Sequence, residues 1–299
     1  MTFKQIVIDI KKLKIQGAQA VAKAGVKALQ EIAIKSKTKS NKIFISDLNK
    51  AKIILFNSRP TEPAMRNAIN YILYRLGGDD IEDIKKQFRF RVHKVQEHFK
   101  KSESLISQYG ARLITNKSAV YTHCHSSTVI NILRKASKSK KFEVHNTETR
   151  PLFQGRKTAT DLTKLKIPVF HYVDSAARIA LKETDLMLLG ADAITSTGKV
   201  VNKIGSELIV ESAERYQVPV YICTDSWKYD PKTHFGISEP MENRSRDEVW
   251  KNAPKSVKIM NPAFEKINPR LITGIISELG IYSPETFVQE VKRKYEFLN

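Results

Sequence analysis

Cysteine is almost absent from this 299-residue chain, which holds only Cys124 and Cys223. Two thiols cannot build a disulfide framework or a zinc site made of cysteines alone, although one of them can still be a reactive group. Long apolar runs are missing as well. Stretches such as Val218 to Cys223 fall far short of the ~18–20 residues that a membrane span requires, and the amino terminus has no compact apolar signal segment. No membrane association and a cytoplasmic location are expected. There is no Gly-x-x-x-x-Gly-Lys-Ser/Thr loop and no Gly-x-Gly-x-x-Gly fingerprint, which argues against a P-loop nucleotidase and a Rossmann dehydrogenase. A Gly-x-Ser-x-Gly elbow is lacking too.

Negative charge is the scarcer sign: 31 Asp and Glu face 51 Lys and Arg, for a net charge of +20. The excess is concentrated near the amino end, where residues 1–110 carry 22 basic and 10 acidic side chains. Such a field favours polyanions and small phosphorylated molecules alike. The lysines are scattered through helical stretches, without a dense tract and without an RRM or KH signature, so nucleic acid is not the expected partner. An apolar content of 41% and this length suffice for one large or two ordinary domains with a buried core.

From Phe3 to Lys35 the pattern is helical. Ile6, Val7 and Ile10 recur at helical spacing, Gln16-Gly17-Ala18 interrupts, and an Ala-rich stretch runs from Val21 to Ile34. Ser36 to Lys42 reads as a polar linker. Ser46 and Asp47 are placed to cap a helix into Leu55. Thr61 to Leu76 repeats the pattern, and Gly77-Gly78-Asp79-Asp80 ends it and starts a long charged helix toward Tyr109. Beyond that point short apolar runs alternate with helical windows: Ala119–Thr122, Phe142–Asn146, Pro168–Val173, Leu186–Leu189 and Val218–Cys223. That alternation predicts an α/β fold, with a helical domain over residues 1–110 and a parallel sheet with crossover helices over 111–299.

In an open parallel sheet a ligand sits beyond the carboxyl ends of the strands. Here those ends read Thr122-His123-Cys124-His125-Ser126-Ser127, Thr147-Glu148-Thr149-Arg150-Pro151, Asp174-Ser175-Ala176-Ala177-Arg178, Gly190-Ala191-Asp192 and Thr224-Asp225-Ser226. Cys124 precedes a predicted helix start at Ser126, an environment that lowers a thiol pKa and binds phosphate; the plain alternative is a small buried hydrophobe. His123 and His125 flank it at i±1, on the opposite strand face, which disfavours a His-Cys-His zinc site and leaves one His able to tune the thiol. Asp192 follows two small residues that permit close backbone approach, and suits an acid, a base or a simple turn cap. Arg150, with Gln154 and Arg156 on the same loop, suits phosphate, as does Arg59 at a helix start followed by Arg66. Each could equally be a surface ion pair. Lys203, after Asn202, could contact phosphate or a sugar hydroxyl. By elimination these residues suggest a phosphate-rich small ligand beside Cys124 and Asp192.

Six ordered segments carry a family resemblance: Thr122-His123-Cys124-His125-Ser126, Glu148-Thr149-Arg150-Pro151 with Gln154-Gly155, Val173-Asp174-Ser175-Ala176-Ala177-Arg178, Gly190-Ala191-Asp192, Asn202-Lys203-Ile204-Gly205 and Asn261-Pro262-Ala263-Phe264. Together they resemble the initiation factor 2B alpha/beta/delta-like family, and most closely its archaeal branch acting on ribose 1,5-bisphosphate. The resemblance implies a helical amino-terminal domain and a Rossmann-like carboxyl-terminal domain. It also implies an aldose–ketose isomerase that forms ribulose 1,5-bisphosphate in AMP breakdown, without a metal or other cofactor, activated by AMP and assembled as a homo-hexamer. Cys124 and Asp192 would be its catalytic pair. Gln16, Gly17, Arg59, Ser126, Arg150, Gln154, Asn202 and Lys203 would bind the substrate. The family's sugar-phosphate isomerases usually carry an Arg where this chain has Gln16, and Lys12 or Lys14 could replace that charge. A non-catalytic regulator of the initiation factor 2B type and a methylthioribose-1-phosphate isomerase are the alternatives.

Overall fold

The computed structural model describes residues 1–236 and 242–298. Its first part is five helices: α1 (Phe3–Lys11), α2 (Ala18–Lys35), α3 (Asn41–Ser58), α4 (Pro63–Leu73) and α5 (Ile81–Leu113). Their starts follow from local chemistry. The side chains of Thr2, Ser40 and Asp80 each accept a first-turn backbone N–H, from Gln5, Ile43 and Asp83. The third helix therefore begins at Asn41, ahead of the cap expected at Ser46–Asp47, because Ser40 caps it and Phe44 and Leu48 bury its first turns. Gly17, at φ +89°, ends the link from α1 and opens α2 without a side-chain cap.

The remainder is built on a seven-stranded sheet: β1 (Ala119–Thr122), β2 (Glu143–Thr147), β3 (Val169–Tyr172), β4 (Leu186–Leu189), β7 (Val220–Cys223), β9 (Gly274–Ser277) and β10 (Gly280–Tyr282). Its order is β10-β9-β7-β4-β1-β2-β3, parallel throughout except for the β9–β10 pair. The crossovers include α6 (Ser127–Ala136), α7 (Gln154–Lys164), α8 (Ala177–Leu181) and α9 (Ser206–Arg215). All residues of β1 and β4 are buried, as expected for strands covered on both faces. From β1 the chain winds outward through β2 and β3, then returns to lay β4 on the other side of β1. The direction reverses between β1 and β4, so the crevice of the switch point opens beyond Thr122 and Leu189.

Sequence patterning did not predict the second sheet. In it β5 (Ala193–Ile194), β6 (Val200–Lys203) and β8 (Phe264–Ile267) pair antiparallel in the order β5-β6-β8. Two further helices, α10 (Asp247–Trp250) and α11 (Pro284–Lys294), complete the described elements. One continuous apolar core runs from Ile6, Leu29 and Ile69 of the helices to Tyr121, Met187 and Ile222 of the main sheet. The helical part is thereby packed against the sheet. Asn67 of α4 reinforces this by donating to the carbonyls of Trp227 (2.8 Å) and Tyr229 (2.7 Å) beyond β7.

Candidate active site

A cavity of about 460 Å³ opens at the switch point, between the sheet and the starts of α2 and α4. Cys124, Asp192, Gln16, Gly17, Arg59, Ser126, Gln154, Asn202 and Lys203 all line it. Close packing brings the two halves of the crevice together. A Cβ on Gly190 would lie 2.7 Å from the Ser126 hydroxyl, and one on Gly155 would lie 1.7 Å from the Thr147 carbonyl oxygen. Only glycine lets the α6 start meet the end of β4, and the α7 start meet the end of β2.

Cys124 stands in the left-handed backbone region at φ +64°, unusual for a residue with a side chain. The neighbouring loops hold it there. Its N–H donates to Thr149 Oγ1 (3.0 Å) and its carbonyl accepts from the Thr158 hydroxyl (2.7 Å). Strain fixed from both sides is a recurrent mark of functional loops. Burial pushes the Cys124 thiol up to about 11, against the opposing pull of the Lys203 ammonium and the His125 N–H. The lowering expected from the α6 start is thus outweighed by desolvation, and the free site holds the thiol protonated.

His123 is a strut. Burial lowers its pKa, so the ring is neutral; Nε2 donates to the Ile204 carbonyl (3.1 Å) and Nδ1 accepts from the Thr147 hydroxyl (2.7 Å). It ties the end of β1 to the turn that follows Lys203 at the end of β6. His125 faces Asp161 at 3.1 Å. Asp192 is placed by its N–H, which donates to Val201 in the small sheet (2.9 Å). Burial raises the Asp192 carboxyl, while the charges of Lys228, Lys203 and Arg59 oppose the rise.

Several expected anion ligands lie elsewhere. Arg150 does not line the cavity: its guanidinium donates to the Val249 carbonyl (3.1 Å), and its backbone N–H and that of Thr149 are taken by Asp174. Arg156 covers the Phe153 ring at 3.7 Å and pairs with Glu148. Arg66 is buried against Asp230 at 3.0 Å, an internal ion pair that joins α4 to the loop after β7. Neither Lys12 nor Lys14 reaches the cavity near Gln16; Lys23, further along α2, does. Gln16 itself turns back to donate to the Leu13 carbonyl (2.7 Å).

Other lining residues were not picked out from sequence: Lys23, Glu62, Lys157, Lys228 and Arg244. Lys228 is buried and donates to the Ala191 carbonyl (2.6 Å), next to Asp192. The one available signal was its place just after the strand-end segment Thr224-Asp225-Ser226. Among the described residues six cationic side chains and four carboxyls line the cavity. Among the described residues, five of the six buried side-chain polar atoms without a hydrogen-bond partner belong to this lining: Arg59 Nε, Glu62 Oε2, Gln154 Oε1, Asn202 Nδ2 and Asp225 Oδ2. Native interiors rarely leave such groups unpaired, and their convergence on one cavity marks a polar ligand site.

One group among the described residues could converge on a metal ion: ligand atoms of His98, Asp225 and Glu278 lie within 4.8 Å of one another. They are already joined by hydrogen bonds. His98 Nε2 meets Asp225 Oδ1 at 3.1 Å, and Glu278 accepts from Ser226 and from the Tyr295 hydroxyl (3.1 Å). His98 is also stacked on Trp227 at 3.9 Å.

Comparison with known proteins agrees with this layout. Residues 14–284 match the model of the initiation factor 2 subunit family. The ribose 1,5-bisphosphate isomerase of Pyrococcus furiosus is 34% identical, over 97% of this chain and 93% of that protein. The ribose 1,5-bisphosphate isomerase of Thermococcus kodakarensis is 35% identical, over 97% and 94%. Among solved structures, the translation initiation factor eIF-2B of Pyrococcus horikoshii OT3 superimposes with a TM-score of 0.83 at 24% identity, covering 96% of this chain and 98% of that one, a likeness of fold. With a family match across most of its length and the segments after β1, β4 and β7 meeting at one cavity, this chain belongs to the initiation factor 2 subunit family.

Proposed function

We propose that the protein is an aldose–ketose isomerase converting ribose 1,5-bisphosphate to ribulose 1,5-bisphosphate. The observation that carries this reading is the meeting of Cys124 and Asp192 on either side of the switch point, in a cavity lined by six cationic side chains. A regulator that only bound a ligand would have no chemical need for a thiol and a carboxyl together there.

The anomeric oxygen of this substrate is phosphorylated, so ring opening cannot leave a free aldehyde. One proton must reach the ring oxygen as the bond from C1 to that oxygen breaks, and one must leave C2, giving a C1–C2 enol that keeps its phosphate. A proton returned to C1 and loss of the C2 hydroxyl proton then yield the ketone. In our assignment Asp192 protonates the ring oxygen and later takes the hydroxyl proton, while Cys124 removes the C2 proton and returns it to C1. Lys203 steadies the thiolate, and Arg59, Lys228 and the α6 start at Ser126 hold phosphates and fix the reacting carbons. Because the free thiol is protonated, the productive form, with thiolate at Cys124 and a proton on Asp192, is a minor one. AMP activation, hexameric assembly and a cytoplasmic location go with this reading on the strength of the resemblance. Turnover with and without AMP, and mass by light scattering, test the first two.

The decisive experiment follows ribose 1,5-bisphosphate by phosphorus NMR with purified protein, Cys124→Ser and Asp192→Asn. Each substitution should lower kcat by about 10²–10⁴-fold while leaving product affinity within a few-fold. Folded wild type that turned over methylthioribose 1-phosphate and not the bisphosphate would overturn the substrate assignment.

A further inference from the structure

Glu62 has no part in the scheme above, yet it forms a wall of the same cavity. It sits at the start of α4 and is only 2% exposed. Its Oε2 accepts no hydrogen bond, and Arg59 Nε, also without a hydrogen bond, stands 3.5 Å from the other carboxyl oxygen, Oε1, as a loose ion pair. Burying a half-satisfied carboxylate is costly, and a Leu or Gln would close the wall more cheaply. Such a cost commonly accompanies function.

The charged groups around it come from four places. Asp192 follows β4, Arg59 ends α3, Lys228 follows β7, and Glu242 holds the far side of Arg59 at 3.4 Å. Burial and the Asp192 charge push the Glu62 carboxyl up to about 7, while Arg59 and Lys228 pull it down. Two carboxyls on one poorly hydrated wall cannot both ionise freely, so they titrate as a pair. The charges of Lys228, Lys203 and Arg59 favour the ionised form of Asp192 while its burial opposes them, and a like charge at Glu62 adds to the side of burial.

We propose that Glu62 is a positioning residue of the isomerase site: on the buried cavity wall it forms with Asp192 a coupled carboxyl pair that shares one proton, for Asp192 to deliver to the ring oxygen. The inference rests on the isomerase reading for its catalytic meaning, but the coupling itself does not. Removing the like charge at Glu62 makes Asp192 a stronger acid and empties the productive form.

The test has two arms on the full chain. Without substrate, the protonated-carboxyl infrared band is titrated in wild type, Glu62→Gln and Asp192→Asn. In wild type one protonated-carboxyl component leaves near pH 7, and in each variant that component is lost and the remaining carboxyl of the pair leaves about one unit or more lower. Equal midpoints in wild type and both variants would overturn the coupling, whether or not the protein is an isomerase. With ribose 1,5-bisphosphate, the acid limb of kcat/KM moves down by about one unit in Glu62→Gln, and the plateau above it falls about tenfold. Glu62→Asp, which keeps the charge, retains most of the wild-type profile and serves if the Gln variant does not fold. A profile merely scaled down at every pH, with its limb in place, would reduce Glu62 to a structural role. Inactive wild type with shifted infrared midpoints would sink the isomerase reading and leave the coupled pair standing.

Discussion

The chemistry of this site is set by how burial acts on single groups. Cys124 precedes a helix start, yet desolvation dominates and its thiol is pushed up to about 11. Alkylation by iodoacetamide should therefore be slow at pH 7 and rise about tenfold per unit toward pH 11, with mass spectrometry locating the adduct on Cys124. Fully buried Cys223 should stay unmodified in the folded protein. A labelling rate already level at pH 8 would show a thiolate in the free site and contradict this environment. The same burial shapes kcat/KM, which should climb about tenfold per unit up to about pH 7, stay level, and fall above about pH 11. Cys124 and Asp192 were legible as candidates because each follows an apolar strand, and Lys203 because it stands beside Asn202 in a segment that carries the family resemblance. Glu62 was not, since one Glu before a Pro at a helix start carries no local sign that it will be sealed inside.

At the scale of elements, the site depends on how closely strand ends and helix starts approach. Gly155→Ala would drive a methyl group into the Thr147 carbonyl oxygen, 1.7 Å from the ideal Cβ position. The expected loss is about 3 kcal/mol or more, read from urea unfolding at constant m-value. A loss below about 1 kcal/mol would mean that α7 can slide along β2. The start of α2 offers the opposite experiment. Its cavity-lining Gln16 bonds only to the Leu13 carbonyl, so Gln16→Arg adds a guanidinium at a free helix start without breaking a core contact. KM for the bisphosphate should fall several-fold with kcat little changed, and an unchanged KM would place the phosphates away from α2. Five of the six parallel strands of the main sheet were readable as short apolar runs, and β9 was not. Nor was the β5-β6-β8 sheet, because its strands are two to four residues long and β6 is completed by β8 from more than sixty residues away.

For the molecule as a whole, net charge and cavity charge have the same sign: +20 overall, with six cations lining the site. Raising salt from about 0.05 to 0.5 M should raise KM for the doubly phosphorylated substrate several-fold while kcat holds, as screening weakens attraction to the cavity; a KM indifferent to salt would show that the excess charge plays no part. Local chemistry in the sequence was enough to determine the helical first part, most of the parallel strands, the anion-favouring charge and the placing of a thiol and a carboxyl after apolar strands. These follow from periodicity, capping groups and composition, which act over a few residues. Only the tertiary structure decided which arginines serve. Arg59 lines the cavity, whereas Arg66 is spent on Asp230 and Arg150 on Val249, because partners from distant segments claim them first. It also brought Glu62 and Lys228 to Asp192 and set the upward shifts of Cys124, Glu62 and Asp192, since desolvation is a property of the packed molecule and has no counterpart in the extended chain.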